Sequence, residues 1–331
     1  MPSIRREHKE DAMRALVTGA AGFVGSHLTE QLCASGWDVV GVDCVSPYYN
    51  VAQKRANLAA VTRAEGVEYV NGDLLTMDLA LLLDGIDVVF HQAGQPGVRT
   101  SWEGFASYVE QNVLVTKRLL DAARASATMR FVFASSSSVY GNALSYPTRE
   151  DTLPRPQSPY GVTKLAAEHL CGVYAHTWGL STVALRYFTV FGPRQRPDMA
   201  MHRLIEAALT GESFPVFGTG DQVRDFTYVG DVVAANIVAG TADVEPGTVI
   251  NIAGGGASTL TAVIGIIERL TGREIRLDHR PRQAGDVERT GGAVDLAREA
   301  LGWTPQVPVE EGLARQVRWH LDRIGAHAAT L

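Results

Sequence analysis

The sequence predicts an α/β fold, a doubly wound parallel sheet with a smaller C-terminal lobe. Apolar runs of strand length alternate with stretches of helical periodicity from about residue 14 to Gly192. This alternation is typical of parallel sheets that carry helices on both faces. After Gly192, prolines and glycines interrupt the pattern, which indicates the smaller lobe. The chain has 331 residues, 46% of them apolar, so it can bury a sizeable core in two lobes.

The predicted elements follow one another in a regular order. Strands are predicted at RALVTG, WDVVGVD, VEYVNGD, DVVFHQAG, MRFVFASS and STVALRYF, which are short apolar runs. Helices are predicted at FVGSHLTEQLCASG, MDLALLLDG, SYVEQNVLVTKRLLDAARAS and YGVTKLAAEHLCGVYAHTWG, where apolar residues recur at helical spacing. Ligands of such sheets bind at the carboxyl ends of the strands. Asp73, Gln92, Ser136 and Thr189 are therefore candidate site residues.

Composition and charge exclude several classes of function. The formal net charge of −6 argues against a broad nucleic-acid footprint. The three cysteines lack metal-ligand spacing and suggest reduced thiols in the cytoplasm. No run approaches the ~18 apolar residues of a membrane span. The start, MPSIRREHKEDAMR, lacks the apolar segment of a signal peptide. We interpret residues 1–13 as a flexible tail or an extended start, and expect a soluble cytoplasmic protein.

The stretch VTGAAGFVGSHL places three glycines at the first strand-to-helix turn. Gly19 allows the tight turn, Gly22 lets the backbone approach a pyrophosphate, and Gly25 lets the helix pack closely on the strand. Asp43 ends the second strand, where a carboxylate accepts the two hydroxyls of an adenosine ribose and repels a 2′-phosphate. The alternative is a purely structural glycine turn, but the βαβ context and Asp43 favour a Rossmann-type site for NAD rather than NADP.

A catalytic group is predicted after the fifth strand. Tyr160 and Lys164 lie four residues apart in SPYGVTKLAAE, on one face of a helix. A phenol has a pKa of ~10, and a nearby ammonium together with the positive nicotinamide favours the phenolate. Ser136, just beyond the apolar strand, can orient a substrate alcohol and relay its proton. The pattern Tyr-x-x-x-Lys alone arises by chance on many helices. Ser136, which precedes it in the chain, makes the prediction of a catalytic group more specific.

These motifs together resemble the extended short-chain dehydrogenase/reductases of the nucleotide-sugar epimerase and dehydratase type. The resemblance runs from about Ala15 to about Leu321 and includes VTGAAGFVGSHL, NGDL, HQAG, ASSSSVYG, YGVTK, RYFTVFGPRQRPDM, VRDFTYVGDVV and AGDV. It implies tightly bound NAD and a homodimer formed through the helices at 107–126 and 160–178. It also implies an NAD-binding domain over residues 14–192 and a nucleotide-sugar-binding lobe over residues 193–331, with chain excursions between them.

The resemblance also implies roles for individual residues. Arg224 is implied to contact the diphosphate, and AGDV adds Asp286 to the substrate-binding residues. The implied cofactor contacts beyond the three glycines and Asp43 are Phe23, Val24, Asp73, Leu74, Gln92, Ala93, Gly94, Tyr160 and Lys164.

The segment before VYG narrows the reaction that the resemblance implies. Members of this family share the first step of their reactions: the tyrosine takes the proton of the sugar 4-hydroxyl, and C4 gives hydride to NAD. Dehydratases carry Asp-Glu where Ser137 and Ser138 stand, and decarboxylases of UDP-glucuronate carry Glu at Ser138. The all-serine segment is similar to that of UDP-glucuronate 4-epimerases, as are GVRTSW, FTVFGPRQRPDM and SPYYNVAQKRANL. We therefore expect NAD-dependent conversion of UDP-glucuronate to UDP-galacturonate.

The candidate substrate ligands favour an acidic sugar. Epimerases of neutral sugars usually carry Asn where Thr189 stands. Hydroxyls of Thr189, Ser137 and Ser138 can donate charge-assisted hydrogen bonds to a carboxylate. Arg99 and Arg196 lie on loops near strand ends and can pair with a carboxylate or a diphosphate.

Three alternatives stay open beside this expectation. They are a UDP-glucuronate decarboxylase, a neutral UDP-hexose 4-epimerase and a non-enzymatic NAD-sensing scaffold, since a fold does not determine function. A nucleotide other than UDP is also open. His91 and His202 have no ligand cluster beside them in the sequence, so we expect no metal.

Overall fold

The structure is a computed structural model that describes residues 12–126, 128–281 and 287–328. The strands in these ranges, numbered along the chain, are β1 Arg14–Thr18, β2 Asp38–Asp43, β3 Val67–Asn71, β4 Val88–His91, β5 Arg130–Ser136, β6 Thr182–Tyr187, β7 Thr189–Phe191, β8 Ser213–Phe217, β9 Val223–Tyr228, β10 Thr248–Ile252, β11 Ala257–Thr259 and β12 Arg276–Arg280.

The helices lie mainly between consecutive strands of the first half and around the shorter strands of the second. They are α1 Phe23–Ala34, α2 Val51–Val61, α3 Leu79–Leu82, α4 Phe105–Tyr108, α5 Val115–Ala125, α6 Pro159–Trp178, α7 Ala200–Thr210, α8 Val229–Thr241, α9 Leu260–Thr271, α10 Asp295–Leu301 and α11 Val309–Ala328. Over the ranges that the structure describes, no helix combines the length and apolar character needed to cross a membrane.

The predicted α/β architecture is confirmed by a seven-stranded sheet in the order β3-β2-β1-β4-β5-β6-β10. All of its neighbouring strands are parallel. The order reverses between β1 and β4, and the crevice outside the carboxyl ends of such a pair is where open α/β sheets bind ligands. The six strands and four helices predicted from the first half are all present, although α3 is shorter than its predicted segment and α2 was not predicted.

Helices cover both faces of this sheet. On one face, α1, α8 and α10 pack their apolar side chains against the strands, with Leu28, Val232 and Leu301 among the buried residues. On the other face, α5 and α6 do the same, with Leu119 and Ala167 in the core. Burial of both sheet faces explains why the strands are nearly continuous apolar runs.

A second lobe is built from the short strands and the later helices. It contains a three-stranded sheet in the order β11-β9-β7 and the parallel pair β12-β8. Its own apolar core lies among α7, α9 and α11 and includes Phe191, Leu204, Ile267 and Leu313. Between these elements the chain returns to the main sheet, where α8 packs on α1 and β10 pairs with β6. The domain boundary near Gly192 stays a prediction.

Candidate active site

The turn between β1 and α1 has a backbone that only glycine fits. Gly19 has φ +74°, and a Cβ on it would lie 2.9 Å from the backbone nitrogen of Ala93. A Cβ on Gly25 would collide with the carbonyl oxygen of Gly19. Gly22 is the N-cap residue of α1 and has no side chain to accept from the first-turn N–H groups. These N–H groups can therefore bind an anion such as a pyrophosphate.

Asp43 ties this turn to the end of β2. Its Oδ2 accepts a hydrogen bond from the backbone nitrogen of Ala21 at 3.0 Å, and its Oδ1 accepts one from that of Val45 at 2.7 Å. Each carboxylate oxygen can accept a second bond. Asp43 lines the cleft, so it can receive ribose hydroxyls there.

The carboxyl ends of β3 and β4 form the next part of the wall. Asp73 Oδ1 accepts from the backbone nitrogen of Leu75 at 2.9 Å, and the backbone nitrogen of Ala93 donates to Thr18 Oγ1 at 3.0 Å. The side chain of Gln92 is held by Asn236 and Tyr187, so Gln92 has few side-chain donors left for a ligand.

These elements enclose a cleft of about 570 Å³. Most of the predicted site residues line it, and they come from segments far apart in the chain. They are Gly19, Gly22, Phe23, Val24, Gly25, Asp43, Asp73, Leu74, Gln92, Ala93, Gly94, Ser136, Ser137, Ser138, Tyr160, Lys164, Thr189 and Arg196.

Tyr160 lies at the start of α6, which Ser158 caps by accepting from the backbone nitrogen of Gly161 at 3.1 Å. Burial raises the pKa of Tyr160 above its usual value, while a hydrogen bond with Ser136 and the charge of Arg196 act to lower it. A cation and a hydrogen-bond partner for the phenolate are therefore both present.

Lys164 lies one turn further along α6 and is 6% exposed. Its Nζ donates to the carbonyl oxygen of Ala134 at 2.7 Å, and burial lowers its pKa to about 8. The expected role of Lys164 in favouring the Tyr160 phenolate stays a prediction, and Arg196 is a second cation, whose charge acts on Tyr160. An ammonium has three donors, and the bond to Ala134 uses one of them.

Asn112 is a buried residue that supports the wall of the cleft, and it was not predicted from the sequence. Its Oδ1 accepts from the backbone nitrogen of Gln95 at 2.7 Å, and its Nδ2 donates to the Gln95 carbonyl at 3.1 Å and to Thr163 Oγ1 at 3.0 Å. It lies in a π-helical turn, Val109–Leu114, between α4 and α5, and such turns are frequent at functional sites. Asn112 thus joins the loop after β4 to the helix of Tyr160.

The hydroxyl-rich part of the cleft lies beside Tyr160. Ser136 Oγ accepts from the backbone nitrogen of Ser138 at 3.1 Å, in a 3-10 turn at Ser137–Val139. Thr189 begins β7. Among the residues that line the cleft in the described ranges, carboxylates occur only at Asp43 and Asp73. A negatively charged ligand group would therefore meet hydroxyl donors near the tyrosine rather than acids.

One edge of the Arg196 guanidinium is already paired with a carboxylate. Its Nε donates to Asp198 Oδ1 at 3.0 Å and its Nη2 to Asp198 Oδ2 at 2.9 Å. This bidentate pair fixes the plane of the guanidinium, so the donors left for a ligand lie mainly on Nη1. Its side chain is 20% exposed, and the residue lines the cleft.

The remaining predicted ligands lie elsewhere. Arg99 places its guanidinium 4.2 Å from the ring centre of Phe217, and Arg224 donates to the carbonyl oxygens of Val287 and Glu288. Neither belongs to the described wall of the cleft. Asp286 lies outside the described residues.

The two histidines considered as metal ligands differ. Burial lowers the pKa of His91 to about 3, and the ring lies between Thr18 and Thr116 as part of the core. His202, by contrast, lies beside Glu206 and His320. The fold therefore brings to His202 the potential ligands that the sequence argument did not find.

Comparisons with known proteins place this geometry in context. Residues 15–253 match the family model described as the NAD dependent epimerase/dehydratase family. The chain is 41% identical over 310 residues to the uncharacterized UDP-glucose epimerase YtcB of Bacillus subtilis (strain 168), covering 93% of this chain and 98% of that protein. It is 36% identical over 330 residues to the probable UDP-glucuronate 4-epimerase of Rhizobium meliloti (strain 1021), covering 93% and 97%.

A solved structure is also similar over nearly the whole chain. The UDP-glucuronic acid 4-epimerase from Bacillus cereus, in complex with UDP-glucuronic acid and NAD, gives a TM-score of 0.91 at 39% identity. The match covers 94% of this chain and 100% of that one.

Proposed function

The chain belongs to the NAD dependent epimerase/dehydratase family, and from that premise we propose that it interconverts UDP-glucuronate and UDP-galacturonate by inverting C4 of the sugar. The observation that carries this proposal is the set of hydroxyl donors at Ser137, Ser138 and Thr189 beside Tyr160. Such donors stabilise a sugar carboxylate, and serines cannot carry out the acid–base steps of a dehydratase at neutral pH.

The residues around the glycine turn fit NAD. A Cβ on Gly19, Gly25 or Gly94 would meet neighbouring protein atoms, so no side chain fits at these positions. The N–H groups at the start of α1, which Gly22 caps, can bind the pyrophosphate of a dinucleotide. Asp43 offers carboxylate lone pairs for ribose hydroxyls. Bound NAD supplies reversible hydride acceptance at C4, so the overall reaction is redox-neutral and the cofactor is not consumed.

We propose that Tyr160 is the base that removes the proton of the sugar 4-hydroxyl. Ser136 hydrogen-bonds the phenol and can orient the substrate alcohol. Arg196 favours the phenolate by its charge, and Asn112 holds the loop after β4 against α6. Lys164 fixes the end of β5 through the Ala134 carbonyl. Inversion then requires the 4-keto sugar to turn over before C4 is reduced on its other face.

The test is product analysis with the purified chain and UDP-glucuronate. NMR should show UDP-galacturonate formed with no loss of total uronate, and the Tyr160→Phe variant is the matched control. A pentose nucleotide with release of CO₂ would instead identify a decarboxylase. NAD binding with no turnover of any UDP-sugar would identify the non-enzymatic alternative.

A neutral UDP-hexose 4-epimerase is the second candidate, and one observation favours it. YtcB, which is 41% identical to this chain, is described as a UDP-glucose epimerase. The two candidates are separated by the ratio of kcat/KM for UDP-glucuronate to that for UDP-glucose. We expect the ratio to exceed ten, because each charge-assisted hydrogen bond to the carboxylate contributes ~1.5–3 kcal/mol. A ratio below one would favour the neutral sugar.

We further propose a homodimer formed through α4–α5 and α6. Several large apolar side chains on these helices are exposed in the single chain, at Phe105, Leu114, Val162, Val173 and Trp178. An exposed apolar surface of this kind supports an interaction site. Light scattering of the wild type and of Val173→Glu tests it: we expect a dimer that the substitution weakens, and a monomeric wild type would overturn it.

A cytoplasmic location is also proposed. Cys33, Cys44 and Cys171 are free thiols, which is usual in a reducing compartment. Fractionation of source cells would test it, and recovery of the protein outside the cytoplasm would contradict it.

A further inference from the structure

A cluster of potential metal ligands lies between α7 and α11, apart from the proposed active site. His202 and Glu206 are one turn apart on α7, and His320 projects from α11. One ligand atom from each of the three residues lies within 4.8 Å of the other two. His202 is 1% exposed and His320 is 4% exposed, whereas the side chain of Glu206 is 52% exposed. The cluster is therefore buried at the two histidines and has an open side, exposed to solvent, at Glu206.

The hydrogen bonds of His202 leave a lone pair that needs a positive partner. Its Nδ1 lies 2.8 Å from the carbonyl oxygen of Gln195. A carbonyl only accepts, so Nδ1 carries the hydrogen, and Nε2 of a neutral ring is then a bare acceptor. Nε2 lies 3.0 Å from Glu206 Oε1, which is also an acceptor when ionised. A proton or a cation must lie between these two atoms.

His320 supplies the second independent observation. Its Nε2 is buried and has no hydrogen-bond partner in the part of the chain that the structure describes. The rings of His202 and His320 are 4.4 Å apart at 71°. A buried polar atom without a partner costs about 1–3 kcal/mol, so the unpartnered Nε2 requires an explanation. With the ring hydrogen on Nδ1, Nε2 would offer its lone pair to a metal ion together with the two acceptors on α7.

We propose that His202, Glu206 and His320 form a binding site for a divalent transition-metal ion of the zinc class, which joins α7 to α11. Two imidazoles and one carboxylate are a ligand set that zinc uses. In tetrahedral geometry with bonds of ~2.0–2.1 Å, neighbouring ligand atoms lie about 3.3 Å apart. Small side-chain rotations therefore bring the three atoms into position. The fourth place faces the open side, where water can complete the shell.

The surroundings of the site fit this role. The Nδ1 hydrogen bond to the Gln195 carbonyl fixes the tautomer of His202, as the outer partner of a metal-bound histidine does. Gln195 also accepts, through Oε1, from the backbone nitrogen of His202 and from Gln316 on α11, both at 2.9 Å. The charge of Arg323 acts on Glu206 and His320. This positive charge acts against the binding of a cation at the same place.

The test is Co²⁺ binding to the full chain after chelator treatment, followed by visible absorption. We expect one tetrahedral Co²⁺ per chain that Zn²⁺ displaces. Glu206→Gln and His320→Gln should each weaken Co²⁺ binding at least tenfold. His176→Gln, which changes an exposed histidine on α6, is the matched control and should leave it unchanged.

A thermal scan gives a readout that does not depend on the spectrum. At a Zn²⁺ concentration one hundred times the dissociation constant, the melting temperature of a chain of this length should rise by about 4 °C. At the same Zn²⁺ concentration, binding at least tenfold weaker should reduce the rise of Glu206→Gln to about 2 °C or less. The metal-free melting temperature should change little, because the glutamine amide can donate to His202 Nε2 in place of the carboxylate contact. Absence of tetrahedral Co²⁺, or Co²⁺ binding as strong in both ligand variants as in the wild type, overturns the proposal.

Discussion

Glu168 and Arg186 form a buried ion pair that is hydrogen-bonded to Ser135, the residue before the proposed catalytic serine. Their side chains are 3% and 5% exposed, and Arg186 Nη2 lies 2.6 Å from Glu168 Oε1. Glu168 Oε2 also accepts from Arg186 Nε at 3.0 Å and from Ser135 Oγ at 2.6 Å. Glu168→Gln keeps the shape of the side chain but removes its charge and turns one acceptor into a donor that faces the guanidinium.

The size of the stability loss depends on the unpaired charge of Arg186, which stays buried after the substitution. Removal of one partner of a buried pair costs about 3–5 kcal/mol, because the other charge loses its compensation. Arg186 keeps bonds to Tyr140 at 2.6 Å and to the Glu150 carbonyl at 3.2 Å. We therefore expect the free energy of unfolding to fall by about 3 kcal/mol, at the lower end of that range.

Urea unfolding followed by circular dichroism, at a fixed saturating NAD concentration, measures this loss. Glu310→Gln is the matched control, because its pair with Arg269 is 63% exposed on both sides and should contribute at most about 1 kcal/mol. The double variant Glu168→Leu/Arg186→Met should recover much of the loss, since no charge stays unpaired. If Glu168→Gln lost no more than the control, the reasoning would be refuted.

Four further predictions follow. Tyr160→Phe should reduce turnover by ~10²–10⁴ with NAD still bound, and activity within a few-fold of wild type would remove Tyr160 from its role. Asp43→Asn should lower the preference for NAD over NADP by about tenfold or more, measured as the ratio of the two dissociation constants after the cofactor is stripped; an unchanged ratio would contradict its assignment. Thr189→Val or Ser138→Ala should raise the ratio of pentose to epimer products roughly tenfold, because each removes a bond that stabilises the carboxylate against loss as CO₂; slower epimerisation at the wild-type ratio would show that these hydroxyls only position the sugar. Burial lowers the pKa of His91 from 6.5 to about 3, so between pH 7.5 and 5.5 only the unfolded chain binds a proton at this histidine. The wild type should therefore lose about 1.4 kcal/mol more free energy of unfolding than His91→Gln over this range. Equal losses in urea titrations of the two proteins would count against this.

Local patterns were sufficient to predict the glycine turn before α1 and the helix that carries Tyr160 and Lys164. The glycines between β1 and α1 and Asp43 at the end of β2 lie within one βαβ unit, so their arrangement follows from neighbouring residues. Tyr160 and Lys164 share one helix face. What the sequence could not show was the partner of each group. Lys164 bonds to Ala134, and the charge of Arg196 also acts on Tyr160.

The helix α2 was missed because its buried side is mostly polar. Gln53, Lys54 and Asn57 are buried on it, and each donates to a backbone carbonyl, for example Asn57 to Ala21 at 3.1 Å. Apolar periodicity finds only helices that bury an apolar stripe. Asn112 escaped for a related reason, because its role depends on a π-helical turn that no periodicity marks.

The place of β10 in the main sheet has a consequence for how the protein is made. β6 ends at Tyr187, but its outer neighbour, β10, ends only at Ile252. Until the ribosome has synthesised Ile252, the nascent sheet therefore has an open edge on β6. Before Thr241 is made, the sheet also lacks α8, which covers part of one face. Open apolar edges recruit other strands. Expression of residues 14–192 alone should therefore give aggregates, and chaperones should engage the nascent chain until β10 has paired.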